Sequence, residues 1–280
     1  MTTIGKQYVL TDLCNNPESG IVAVVAAHVY NAFILDKRDE TYFKNKGFTM
    51  VYDASAKTTA DSWHEFKDKC NNRALVLMPV WTGEMADFAI ANKLFVMNLN
   101  KQYNSSAGGQ NVELFKEVLA WLQPDSPVYG WEVGVGEDAF VSLISKSGNM
   151  AVALQEFNIP WFSKDYKARQ TQTLAKIVDP HDIDFSTSDT KRFVSYYLSD
   201  GPHAGWMMRG FKENYLVDMH SSDVKMGYGI TASNISQIDP AQFEVLMANQ
   251  PSGATWIVFC LCRLRLKTIF TAILWIFLWC

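Results

Sequence analysis

Several patterns that would settle a function at once are missing from this chain of 280 residues. The N-terminus, Met1-Thr-Thr-Ile-Gly-Lys-Gln-Tyr8, has no charged segment leading into an apolar run, so no secretory signal peptide is recognisable. The cysteines, Cys14, Cys70, Cys260, Cys262 and Cys280, stand at no metal-ligand spacing, and Cys260-x-Cys262 is too tight for a zinc knuckle; neither a zinc site nor a disulfide framework follows. There is no Gly-x-Ser-x-Gly elbow and no evident Cys/His nucleophile pair. Gly130-Trp-Glu-Val-Gly-Val-Gly-Glu137 is glycine-bearing but lacks the G-x-G-x-x-G spacing of a dinucleotide loop, and no cofactor is expected. Outside the last segment no basic run interleaves with aromatics, and a net charge of -4 with mixed signs argues against a nucleic-acid partner.

What the chain does hold is an ordinary apolar fraction of 48% and a rich aromatic one of 13%, enough to bury a sizeable core in one large domain or two smaller ones. Short apolar runs alternate with segments of helical spacing. Strands are expected at Phe48–Tyr52, Ala74–Met78, Leu94–Met97, Val128–Trp131, Met150–Leu154, Phe193–Leu198 and Lys225–Ile230. Helices are expected at 28–46, 59–69 (capped by Asp61 or Ser62), 82–92, 112–122, 138–145, 204–215 and from Asp239-Pro240 to Met247. Gly20–Ala27 reads as a buried strand or the start of a buried helix. Four-to-six-residue strands alternating with helices indicate an α/β fold of mostly parallel β/α units.

From Trp256 the composition changes. The apolar run after Lys267 is about 13 residues, short of the roughly 20 that span a bilayer, and Arg263, Arg265 and Lys267 interrupt anything longer. Residues 254–280 are therefore expected to be an aberrant apolar tail, with membrane contact only if residues 256–280 are native.

Four acids fall at expected strand ends: Asp53, Glu132, Asp200 and, more loosely, Glu156. The carboxyl ends of parallel strands form the open crevice where catalytic groups collect. Two carboxylates flanking a cleft are what glycosidic-bond cleavage needs, one protonating the leaving oxygen and one acting as base or nucleophile. Glu132 and Glu137 share a glycine-bearing loop that would let a sugar approach the backbone. A competing reading uses Asp200 with His203, and further ligands from His181-Asp-Ile-Asp184 and His220-Ser-Ser-Asp223, to hold a metal for ester or amide hydrolysis. None of these pairs has a distinctive spacing, so no metal ligand is assigned.

Gly130-Trp131 and Gly136-Glu137-Asp138 lead into Val141-Ser-Leu-Ile-Ser-Lys-Ser-Gly148, followed by Asn158, Tyr196-Tyr-Leu-Ser-Asp-Gly201 and Trp206-Met-Met-Arg209. Together these resemble the bacterial GxGYxYP glycoside hydrolase family. Leu75-Val-Leu-Met-Pro-Val-Trp-Thr-Gly83 and Ala89-Ile-Ala-Asn-Lys-Leu-Phe-Val96 resemble its N-terminal region, and the similarity runs over most of Tyr8 to Gly253. The resemblance implies an N-terminal α/β region over 1–122 and an incomplete β/α barrel-like domain over 123–253. It also implies a carbohydrate substrate, and relatives that are secreted or periplasmic. Asp200 and Glu132 would be the acid/base or nucleophile pair and Glu137 a supporting acid. Trp131, Asn158, Trp206 and Arg209 would form the sugar-contacting shell. Two departures stand out: Pro202-His203 replaces the Asp-Asn that follows Ser-Asp-Gly in the family, and the naming Gly-x-Gly-Tyr-x-Tyr-Pro motif is absent. A carbohydrate esterase or deacetylase, or a non-catalytic glycan-binding or defective product, remain the alternatives.

Overall fold

Strand β1 (Gln7–Thr11) lies at the centre of the first sheet, flanked in parallel by β2 (Phe33–Asp36) and β3 (Thr49–Asp53). The computed structural model describes residues 5–79, 83–99, 111–131, 136–154, 156, 158–160, 186, 194, 196–198, 204–216, 226–250 and 255–258. Helix α1 (Glu18–Tyr30) connects β1 to β2 and takes in the ambiguous apolar run. Ile21 to Ala27 are buried on every side of it, so the run shows no amphipathic period. Asn31, left-handed at φ 51, closes α1 by donating its N–H to the Ala27 carbonyl. The helix expected over 28–46 is therefore a misreading. Tyr30, Phe33 and Ile34 do recur at helical intervals, but Phe33–Asp36 pairs with β1, Val9 opposite Ile34. Only α2 (Glu40–Asn45) of that span is helical beyond β2, apart from a short turn before it. Helix α3 (Thr59–Phe66) is capped by Thr58 rather than by Asp61 or Ser62; Asp61 sits at the third helical position and accepts from the Thr58 N–H at 2.8 Å, completing a capping box.

The second sheet is built from β4 (Asn71–Leu77), α4 (Ala86–Asn92), β5 (Leu94–Met97), α5 (Val112–Trp121), β6 (Pro127–Tyr129), α6 (Glu137–Lys146) and β7 (Met150–Val152). Its order is β5-β4-β6-β7, all parallel. The second half of β4 and all of β5 are buried, which is why both read as unbroken apolar runs. Helix α1 lies against β5 and α4 as well as β1, so the first two sheets share one core. Trp63 of α3 joins the same core at 1% exposure. Its indole N–H donates to Glu117 Oε1 at 2.8 Å, and its ring meets Phe95 and Trp121 edge-on at 5.0 and 5.2 Å. The division expected near residue 122 falls between α5 and β6, inside this sheet.

The third sheet contains β8 (Tyr196–Leu198), β9 (Met226–Ile230) and β10 (Thr255–Val258), in the order β10-β9-β8. Helix α7 (Ala204–Met208) follows β8, and α8 (Ala232–Ile238) and α9 (Pro240–Ala248) follow β9. The helix expected to continue to Tyr215 breaks at Gly210, which has φ +58, and a further turn, Lys212–Leu216, resumes beyond it. Met207, Phe211, Leu216, Tyr228, Ile230, Ile235 and Leu246 form a second, smaller core. Ala204 and Ile238 belong instead to the main core, and Met208 packs against both. Strand β10 lies within the stretch expected to be an aberrant tail; its backbone pairs with β9, and the rest of that tail lies outside the described residues. Every strand pairing among the described residues is parallel, as the β/α rhythm implied. No described helix is long and apolar enough to cross a membrane.

Candidate functional site

In an open parallel sheet, ligands gather outside the carboxyl ends of the strands where the strand order reverses. In the second sheet that point lies between β4 and β6, because β5 adds to one side of β4 and β6 to the other. Gly130 follows β6 there at φ +105, lying so close to β4 that a Cβ on it would stand 2.1 Å from the Leu77 carbonyl oxygen. Its N–H donates to the Val152 carbonyl at 3.0 Å, fixing the turn against β7. Trp131 comes next, half-buried, its ring edge-on to Phe140 of α6 at 5.3 Å. Beyond β4 and β5, the Asn98 side-chain amide donates to the Met78 carbonyl at 2.9 Å and the Asn111 amide to the Asn98 carbonyl at 2.7 Å. Both asparagines are buried and hold the loops behind this edge.

Past β7 the chain reaches Glu156, only 9% exposed. Its carbonyl accepts the Met85 N–H at the start of α4 at 3.0 Å, anchoring the backbone. Its carboxylate Oε1 accepts a hydrogen bond from Arg209 Nε at 2.7 Å and forms an ion pair with Nη2 at 2.5 Å. Arg209 follows α7, so this contact joins the loop after β7 to the segment after β8. The sequence marked Glu156 as an acid past a strand; nothing in it could pair residues 53 apart.

The other expected site residues are distributed as follows. Asp200 and Glu132 lie outside the described residues, as do Pro202, His203, His181 and His220. Glu137 is exposed in the first turn of α6, where a carboxylate complements the helix N-terminus. Asn158 is exposed and left-handed at φ 61, a conformation asparagine tolerates. Trp206 is half-buried, with edge-on contacts to Phe211 at 4.9 Å and Tyr215 at 4.7 Å, on the margin of the smaller core. Arg209, expected to touch sugar, is bonded to Glu156.

Two further clusters carry chemistry-bearing side chains. Asp36 and Asp53 end β2 and β3, and Asp12 directly follows β1. Asp12 accepts from the Asn15 side chain at 2.9 Å, and these bonds draw its pKa below the ordinary carboxylate value against the opposing effect of burial. Burial pushes the Asp36 carboxyl up, but bonds from Arg38 and from the Leu13 N–H outweigh it and leave the pKa lowered. Asp53 accepts the Ser55 N–H at 2.9 Å. Loop closure thus accounts for all three, and no cluster of metal-ligating side chains occurs among the described residues. His28 Nε2 lies 3.7 Å from Cys70 Sγ, a pairing the sequence did not suggest. Burial, with the nearby Lys93 charge, pushes the imidazole down to about 4, and burial pushes the thiol up to about 12. Both groups are neutral near pH 7, the opposite of a thiolate–imidazolium nucleophile.

These features define a mixed α/β protein of parallel sheets. In fold it is similar to a protein of Bacteroides thetaiotaomicron described as a "putative hydrolase", with a TM-score of 0.66 and 14% identity. The likeness covers 92% of this chain and 48% of the other, so the chain spans about half of that protein's length. At this identity the likeness is one of fold. Residues 73–158, from β4 to just past β7, match the GxGYxYP third domain. No curated protein matches the chain in sequence.

Proposed function

We propose that the protein belongs to a carbohydrate-active hydrolase that cleaves glycosidic bonds by carboxylate chemistry at the carboxyl edge of its parallel strands. The observation that carries this reading is the Glu156–Arg209 contact, because it draws the segment following Asp200 toward the edge where the loops after β6 and β7 emerge. Asp200 and Glu132 are the candidate acid/base or nucleophile pair, with Glu137 in support. Trp131, Asn158, Trp206 and Arg209 are the candidate contacts to a carbohydrate, the aromatic rings offering apolar faces to a pyranose. The match of residues 73–158 to the GxGYxYP third domain and the fold likeness to a protein described as a hydrolase support the same reading.

Turnover on a panel of polysaccharides and aryl glycosides tests it, with Asp200→Asn beside the wild-type chain. Loss of a proton-transferring carboxylate lowers turnover roughly 10²- to 10⁴-fold. Equal rates for the two proteins remove Asp200 from the chemistry. Glycan binding without turnover in the wild type refutes hydrolysis and leaves a binding module.

A further inference from the structure

We propose that the face of the first sheet opposite α1 docks an amphipathic helix of a partner protein, its apolar stripe bordered by carboxylates. A parallel sheet of β/α units is normally covered on both faces. On one face Val9 of β1 joins the main core with the residues of α1. On the other, Tyr8, Leu10 and Leu35 form a separate small cluster, closed by Phe43 of α2 and by Phe48. Helix α2 has six residues, under two turns, and none of them is buried. Cover is therefore incomplete. Phe33 and Met50, which pair with Tyr8 from the two neighbouring strands and share its face, stay 43% and 41% exposed, and Tyr42 of α2 is 61% exposed.

The aromatic residues form one continuous surface. Ring centroids lie 5.8 Å apart for Phe33 and Phe48, 5.2 Å for Phe48 and Phe43, and 5.4 Å for Phe43 and Tyr42, a row running from edge strand β2 to α2. Lysines border it. Lys6 Nζ lies 5.9 Å from the Phe48 centroid and donates to the Lys46 carbonyl at 3.1 Å, and Lys46 Nζ lies 5.6 Å from the Tyr42 centroid. Glu40 is held by Lys44 at 2.9 Å and by the Tyr8 hydroxyl at 2.9 Å. Among the described residues neither Lys6 nor Lys46 pairs with a carboxylate. A row of rings beside uncompensated cations is matched by a surface that is apolar along its centre and acidic along its rim, which a helix presents at i, i+3, i+4 and i+7. A second copy of this face would set lysine against lysine. Three lysines also fall short of the roughly four to eight that mark a lipid-binding cluster.

The probe is a labelled synthetic helix of about 18 residues, long enough to be helical in water, with a leucine stripe flanked by glutamates. A second peptide carries the same stripe flanked by lysines, and fluorescence anisotropy reads the binding of each to the full chain. The glutamate-flanked peptide is expected to bind at least about tenfold more tightly, with an affinity that falls as salt rises. Phe33→Asp and Met50→Asp should each weaken it at least about tenfold, with circular dichroism confirming an unchanged fold. Lys6→Glu combined with Lys46→Glu should reverse the preference between the peptides, which a folding defect would not do. Equal binding of the two peptides, no binding of the glutamate-flanked one, or binding indifferent to Phe33→Asp overturns the proposal. Two further arms can also overturn it. Cosedimentation with phosphatidylcholine–phosphatidylglycerol vesicles that Phe33→Asp abolishes makes the face a membrane surface. A dimer in analytical ultracentrifugation that Phe33→Asp dissociates makes it a contact between copies. No arm reads glycoside turnover, so the outcome is independent of the proposed hydrolysis.

Discussion

Gly130→Ala places a methyl group against the carbonyl of a central strand, and its consequence can be worked from distances. The new Cβ would lie 2.1 Å from the Leu77 carbonyl oxygen, 3.1 Å from its carbonyl carbon and 3.3 Å from its Cβ. Ordinary carbon–oxygen contact begins near ~3.3 Å, so more than an ångström must be recovered by parting β6 from β4. Those strands are paired through Leu75 with Val128 and Val76 with Tyr129, and the Gly130 N–H is bonded to Val152. Relief by a rotamer change is impossible, because the obstructing atoms include backbone. Overpacking of this kind destabilises by about 1–3 kcal/mol. Holding alanine at φ +105 adds backbone strain of about 1–3 kcal/mol. Gly148→Ala is the matched control. Gly148 follows α6 at φ +78, but a Cβ there meets nothing within 4 Å. It isolates the strain, and any gain from a stiffer unfolded chain is common to both variants.

The expected loss is about 3–5 kcal/mol for Gly130→Ala and about 1–2 kcal/mol for Gly148→Ala. Urea unfolding followed by circular dichroism and tryptophan fluorescence reads the difference, which corresponds to a Tm gap of roughly 5–10 °C for a chain of this size. Equal stabilities for the two variants would refute the close-approach reasoning. The turn after β6 would then be free to move, and Trp131 with it.

Trp63→Ala should destabilise by about 3–5 kcal/mol in the same assay, since its ring and its bond to Glu117 tie α3 to β5 and α5; Trp63→Phe should lose less, and equal losses would assign the effect to the hydrogen bond. The Asp61 carboxyl is held below its ordinary pKa by the Thr58 N–H and then by the Thr58 hydroxyl, and Glu40 is held below its own chiefly by Lys44. The folded-state values lie below the unfolded ones, so this stabilisation is present above the ordinary carboxylate range and lost as pH falls through it and below. Urea midpoints measured downward from neutral pH should therefore drop on the acid side, and Asp61→Asn should flatten that drop. Iodoacetamide at mildly alkaline pH should alkylate exposed Cys14 well before half-buried Cys70, whose thiol is pushed up to about 12 by desolvation; comparable rates by peptide mapping would contradict that shielding of Cys70.

Legibility in the sequence followed burial. Leu94–Met97 was read to the residue because a strand covered on both faces shows an uninterrupted apolar run bounded by polar residues. β1 went unread: Gln7-Tyr-Val-Leu-Thr11 is short, its ends are polar, and its partners are 25 or more residues away in the chain. β2 was absorbed into a helix because three aromatic and aliphatic positions imitated helical spacing, and only the left-handed turn at Asn31 reveals the break. α8 was missed because Ala-Ser-Asn-Ile-Ser-Gln-Ile carries too many short polar residues to signal a helix, while Asp239-Pro240 announced α9 through cap chemistry. For the site, strand-end acids could be located, but the pairing of Glu156 with Arg209 is a tertiary fact with no local signature.

That pairing also bears on whether the edge is structural or functional. An exposed ion pair stabilises by about 0–1 kcal/mol. A buried one is often replaceable by apolar residues without loss, because desolvation offsets the attraction. If Glu156 and Arg209 served only to join the third sheet to the second, apolar contact would do so more simply, and it is already present. Ala204 and Ile238 lie in the main core, and Met208, beside Arg209, packs against both cores. The pair therefore adds little to docking that neighbouring side chains do not supply. What it adds is a buried carboxylate, paired with an arginine, past the carboxyl end of β7. Substituting both residues by leucine separates the two roles. A chain that keeps its stability and loses the proposed glycoside turnover would tie the charge to that chemistry, and one that loses stability would make the pair a structural contact.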